Sequence, residues 1–121
     1  QIHNKTTQVG RSIKMDKIAF ERVLNNVFKN AVQAMNSEGT ITITDQIRGR
    51  NYALLIADTG KGIDNELKDK IFSPNFSTKT SGMGIGLALS KRIIENANGQ
   101  ISFESEVGKG TTFTILIPLH S

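Results

Sequence analysis

The sequence predicts an α+β fold: a two-layer α/β sandwich in which a mixed, mainly antiparallel sheet carries helices on one face. Three observations lead there. Apolar residues recur at three- and four-residue steps in two long stretches, the mark of amphipathic helices. Alternating and continuous apolar runs form two strand pairs, each joined by a turn bearing glycine. Helices separate those pairs, giving the order helix, two strands, helix, loop, helix, two strands, with no internal repeat or linker. At 121 residues and 13.2 kDa the chain, residues 1–121, reads as a single domain.

The first helix is expected from Asp16 to Met35, with Asp16 as its N-cap and Phe20, Val23, Leu24, Val27, Phe28, Ala31 and Val32 along its stripe. Turn formers at 36–39 end it. Thr40 to Ile47 alternates Thr with Ile and predicts a half-buried strand. After a turn at 48–51, Tyr52 to Ala57 is continuously apolar, as a central strand should be. A glycine-bearing turn follows at 58–62, and Asp64 is expected to cap a short helix through Ile71. Residues 73–86 read as a loop. Helix returns from about Ile85 to Ala97, with Leu87, Ser90, Ile93, Ile94 and Ala97 on one face and Asn98-Gly99 as its stop. Gln100 to Glu106 and Thr111 to Pro118 complete the second hairpin. Val9 to Met15 is a further candidate strand, and the residues before it show no helix or strand pattern.

Composition narrows the chemistry. Without Cys there is no disulfide scaffold, thiolate metal site or Cys nucleophile. The two histidines, His3 and His120, stand near the termini, away from any internal triad. The longest apolar run, the six residues Tyr52 to Ala57, is far short of the ~20 that span a bilayer, and the polar opening is no signal peptide. The net charge of +4 is scattered, and one Tyr with no Trp offers little for base stacking. The basic balance is therefore either a solvated surface or a cleft for a polyphosphate, and nucleic acid is not an expected partner.

Three motifs could carry chemistry. Asn26 and Asn30 lie about 40° apart around one helix, at the edge of its stripe. There the two amides are either solvated or turned into a cleft. Asp58-Thr59-Gly60-Lys61-Gly62-Ile63 follows the central strand. Its carboxylate either folds the turn or accepts from a specific donor such as an adenine amine, and would repel a guanine carbonyl. The glycines would let backbone approach a flat ring. Gly82-Met83-Gly84-Ile85-Gly86-Leu87 opens a helix, whose unpaired N–H groups face an anion. It is neither the dinucleotide fingerprint nor a P-loop.

Taken together and in this order, these motifs resemble the ATP-binding catalytic domain of sensor histidine kinases. That domain belongs to the wider gyrase, heat-shock chaperone, histidine kinase and mismatch-repair superfamily, with its Bergerat-type ATP-binding fold. Leu24 to Ala31 is similar to the N box, Asp58 to Ile63 to the G1 box, Phe72 to Phe76 to the F box and Gly82 to Leu87 to the G2 box. Residues 108–113, Gly-Lys-Gly-Thr-Thr-Phe, are similar to the closing strand pair. The likeness spans roughly residues 13–118.

The resemblance implies roles. ATP and Mg²⁺ would be the cofactors, with Asn30 giving its oxygen to the metal and Asn26 one turn before it. Asp58 would accept from adenine N6, with Gly60 and Gly62 shaping the pocket and Ile63 against the ring. Thr111, beside Thr112, would reach adenine through water. Residues 72–86 would be the ATP lid. In it, Ser77, Thr78 and Lys79 would lie near the phosphates, with Gly82, Gly84 and Gly86 as hinge and cradle ahead of Leu87. Many family members have a Lys three residues after the magnesium Asn. Gln33 stands there, so Lys79 or Lys29 would supply the charge.

Hydrolysing members carry a Glu four residues before that Asn as general base. Asn26 occupies the position and cannot take a proton. The expected function is thus to bind Mg-ATP and donate its γ-phosphoryl group to a histidine on a separate dimerisation domain, with a response regulator downstream. No catalytic residue is expected here, because no acceptor histidine helix is present. That helix is expected before Gln1 in a longer, cytoplasmic or membrane-anchored parent, with no membrane contact by this segment. The alternative is an ATP-binding regulatory module without phosphotransfer, either a degenerate kinase or an anti-sigma-type protein.

Overall fold

A computed structural model describes residues 2–5, 17–35, 39–66, 68, 70–72 and 83–119; the side chains of 2–5, 17, 33, 34 and 83–86 lie outside that description. Along the chain run β1 (Ile2–Lys5), α1 (Lys17–Ala34), β2 (Ile41–Arg48), β3 (Asn51–Asp58), α2 (Met83–Asn96), β4 (Gln100–Glu106) and β5 (Gly110–Pro118). The strands form one sheet in the order β1-β2-β3-β5-β4. Every pairing is antiparallel except that of β1 with β2, so the sheet is mixed and mainly antiparallel, as predicted.

The inner face is organised in rows across the strands. Ile47, Tyr52 and Ile117 form one row, and Asp45, Leu54, Ile115 and Ile101 the next. Ile43, Ile56, Phe113 and Phe103 follow. The last row, at the C-terminal end of β3, is Ile41, Asp58, Thr111 and Ser105. Val23, Val27 and Ala31 of α1 and Leu87 and Ile94 of α2 join the sheet residues in one core. Burying such side chains contributes about 1.5–3 kcal/mol apiece. The buried Tyr52 phenol donates to Asp45 Oδ2 at 2.8 Å. Desolvation, and then its Asp45 partner, raise its pKa.

Helix polarity positions the site. The turn after α1 leads straight into Ile41, opposite Asp58, and Thr59 Oγ1 touches Met35 Sδ at 3.9 Å. The C-terminal end of α1 therefore lies at the Asp58 end of the sheet. At the far end, α2 closes with Asn98 at φ 64°. The Asn98 N–H there donates to Glu95 O at 3.0 Å and the Gly99 N–H to Ile94 O at 2.9 Å, a Schellman stop. Gln100 then pairs with Leu116, which faces Ala53 near the start of β3. The N-terminus of α2 accordingly points back toward Asp58.

Three expectations change. The chain does carry a strand before residue 9, because Ile2–Lys5 takes its register from β2. Four mostly polar residues signal no strand until a neighbour supplies the ladder. The short helix expected over 64–71 is replaced by turns among its described residues. So short a segment cannot repay helix nucleation, and tertiary anchors hold it instead: Lys68 Nζ donates to Ser105 O at 2.8 Å, and Ile71 is buried. Finally, α2 starts at Met83, so Gly84 and Gly86 lie in helix rather than loop. Asp16 and the candidate strand at Val9 to Met15 fall outside the described residues.

Candidate functional site

Asp58 is the last residue of β3 and only 6% exposed, buried in a row that is otherwise covered. Its Oδ1 accepts the Gly60 N–H at 2.8 Å and the Thr111 N–H at 3.3 Å. Its Oδ2 is buried and has no hydrogen-bond partner among the described residues. Desolvation raises the carboxyl above its ordinary pKa, against the lowering pull of the two N–H donors. The turn-folding reading of Asp58 thus describes Oδ1, whereas Oδ2 takes no part in the turn.

The loop after Asp58 is pinned to the β4–β5 hairpin. The Ile63 N–H donates to Ser105 Oγ at 2.7 Å, and the Gly108 N–H to Lys61 O at 2.9 Å. Gly62 sits at φ 79°, and a Cβ there would collide with the Glu106 carbonyl. Gly110, at φ 127°, has its own such conflict with the Asp58 carbonyl. Only glycine lets the two loops close on Asp58. Thr111, 4% exposed, lies beside it in the row, with Oγ1 2.7 Å from Ser105 Oγ.

On α1, Asn26 and Asn30 are half-buried on one edge of the helix. Asn26 Nδ2 donates to the fully buried Ser90 Oγ at 3.2 Å, tying α1 to α2. Asn30 is one turn further toward Met35, and so toward Thr59 and Asp58. Among the described residues no cluster of His, Asp or Glu could hold a metal, so the metal reading rests on the Asn30 amide.

Other expected residues fall differently. Leu87 is in the core and Ile63 packs against it. Gly84 and Gly86 occupy the first turn of α2. Ser77, Thr78, Lys79, Gly82 and the second F-box phenylalanine, Phe76, lie outside the described residues. Phe72, the first, is docked on the sheet, its ring centroid 5.8 Å from that of Phe103 and 6.4 Å from that of Phe113. Lys91 Nζ stands 5.5 Å over the Phe72 ring. Sequence reasoning placed Ser90 on the inward face of its helix without giving it a role, and passed over Ser105, although it sits at an inward position of its strand.

Residues 15–121 match the family described as histidine kinase-, DNA gyrase B-, and HSP90-like ATPase. The chain belongs to this family. It is 46% identical over 109 residues to the signal transduction histidine-protein kinase AtoS of Escherichia coli K12, covering 89% of this chain and 18% of that protein. It is 39% identical over 108 residues to the sensor histidine kinase ZraS of the same strain, covering 89% of this chain and 23% of that protein. The chain thus spans about a fifth of these relatives. The solved catalytic domain of histidine kinase ThkA superposes with a TM-score of 0.86 at 34% identity, over 98% of this chain and 78% of that one. Full-length ShkA, solved in complex with AMPPNP, gives 0.83 at 26% identity, over 100% of this chain and 26% of that one. The family accounts for the α+β sandwich and for ATP as the ligand class of this ATPase domain.

Proposed function

We propose that this domain binds Mg-ATP and hands the γ-phosphoryl group to a histidine on a separate dimerisation domain of its parent chain, in two-component signalling through a response regulator. The observation that carries the reading is Asp58 Oδ2, a buried acceptor with no hydrogen-bond partner among the described residues, at a strand end where Gly62 and Gly110 let the neighbouring loops approach closely. Leaving such a group unpaired costs about 1–3 kcal/mol, and a purine amine supplies the missing donor. Guanine, with a carbonyl at that position, does not.

The residues present fit the metal as well. Asn30 offers one amide oxygen on the side of α1 that reaches the Asp58 end, and Mg²⁺ takes few ligands from protein. When bound, the ion neutralises phosphate charge. Asn26 offers no base and is engaged with Ser90, so nothing at this position activates water for hydrolysis. The domain's own task is to fix the purine through Asp58 and the phosphates near the N-terminus of α2, where backbone N–H groups favour anions. Phosphoryl transfer needs mainly this positioning.

Titration of the domain with ATP and GTP, with and without Mg²⁺, tests the reading. ATP should be preferred, Asp58→Asn should weaken ATP by roughly 10- to 100-fold, and Asn30→Ala should abolish the Mg²⁺-dependent part of the affinity. Equal affinity for ATP and GTP, or an unchanged Asn30→Ala variant, overturns it. Radiolabel transfer to an added histidine-bearing helical domain separates a kinase from a module that only binds ATP.

A further inference from the structure

We propose that Ser105 is the specificity-determining positioning residue of the purine pocket, because its hydroxyl fixes which hydrogen-bonding face Thr111 turns toward the free oxygen of Asp58. The proposal rests on the ATP reading above and assigns a role to a residue outside every motif that led to it. Ser105 occupies the inward position of β4 directly opposite Thr111, which in turn is opposite Asp58.

A serine hydroxyl has one proton to give and two acceptor positions. Ser105 Oγ has three polar neighbours. It accepts the Ile63 N–H at 2.7 Å, lies 3.1 Å from the Gly110 carbonyl oxygen and lies 2.7 Å from Thr111 Oγ1. The Gly110 carbonyl only accepts, so the Ser105 proton goes there. Thr111 must then donate to Ser105 for their contact to be a hydrogen bond. If Ser105 gave its proton to Thr111 instead, two acceptors would face each other between Ser105 and Gly110. The relay Thr111 to Ser105 to Gly110 is the arrangement that satisfies all three contacts.

With its proton spent on Ser105, Thr111 shows only lone pairs to whatever enters beside Asp58. The pocket edge is then acceptor next to acceptor, Thr111 Oγ1 and Asp58 Oδ2. An amine, or a water donating in two directions, satisfies that edge, whereas a purine carbonyl meets lone pairs alone. Ser105 also holds the other wall, through the Ile63 N–H and through its own carbonyl, which accepts from Lys68 Nζ at 2.8 Å. One side chain thereby couples the shape of the loop to the polarity of the pocket.

The test is calorimetric titration of the domain with ATP and with GTP, for the wild type, Ser105→Ala, Ser105→Thr, Thr111→Val and the double variant Ser105→Ala/Thr111→Val, each checked for folding by thermal melting. Ser105→Ala should lower ATP affinity about tenfold and lower the ATP-to-GTP ratio with it, and Ser105→Thr should restore both. In the Thr111→Val background, adding Ser105→Ala should change ATP affinity less than about twofold, as expected of residues acting through one contact. If Ser105→Ala fails to fold, Ser105→Cys reads the same ratio, since it keeps the volume and weakens the donor. An unchanged ratio, an equal loss for both nucleotides, or additive losses in the double variant overturns the proposal. Wild-type protein that binds no ATP sinks the ATP reading itself. Wild-type binding with an Asp58→Asn response but no Ser105 effect sinks only this inference.

Discussion

Two neighbouring rows of the same sheet differ in kind. Ile43, Ile56, Phe113 and Phe103 meet carbon to carbon, whereas Ile41, Asp58, Thr111 and Ser105 bring three polar side chains to a comparably covered position. In the first row the strands carry what packing favours. In the second, a carboxylate is buried with one oxygen unpaired, and serine and threonine hydroxyls spend their bonds on each other and on backbone. The polar members of this row gain nothing from burial yet are held by glycines and hydrogen bonds, which fits the purine-binding role proposed above.

The largest effect belongs to the apolar row. Phe113 is fully buried and touches both Phe72 and Phe103, with ring centroids 6.4 Å and 5.8 Å away. Phe113→Ala should cost about 3–5 kcal/mol in urea unfolding and take nucleotide binding with it. The polar row should respond in the opposite sense. Burial raises the folded-state pKa of Asp58, so the stability its carboxyl contributes is present below its unfolded pKa and lost as pH rises through the folded value. Asp58→Asn should therefore raise the melting temperature of the nucleotide-free domain at neutral pH and give no such gain at pH about 3, below the ordinary carboxylate range. Loss of stability at pH 7 would mean that the two rows are not opposites.

Binding should show the reverse pH dependence. The ionised carboxylate accepts the amine, so adenine affinity should fall as pH drops through the folded pKa of Asp58. Asp58→Asn serves as the reference that removes the titration of the phosphates. The smallest effect is expected where a charge rests on Phe72, the ring docked against the apolar row. Lys91→Met removes the cation over Phe72 and keeps its stem, and should cost about 0.5–1 kcal/mol in unfolding.

Much of the fold was legible because its signals are local. The stripe of Val23, Val27 and Ala31 and the alternation of Phe113, Ile115 and Ile117 each encode one buried face, and those residues are in the core. Ile2–Lys5 carries no such signal, since its ladder comes from Ile41–Thr44. The segment 64–71 misled for a related reason: Ile71 is fixed by burial in the core, not by helical periodicity. In the site, Asp58, Gly62 and Thr111 stand out in sequence as turn chemistry and motif. Ser105 does not, because a serine in a strand is unremarkable until the strand opposite is known.

What the sequence determined by itself was the two long helices, the two strand pairs, the family resemblance and the polar residues at the strand end, because periodicity and motif spacing are properties of a chain. The tertiary structure decided the pairing of rows, the antiparallel helices that aim the end of α1 and the start of α2 at Asp58, and which oxygen of that carboxylate remains free. Those depend on register between segments about fifty residues apart, Asp58 with Thr111 and Ser105. Hydrogen-bond satisfaction exists only between groups already brought together, and no stretch of chain carries it alone.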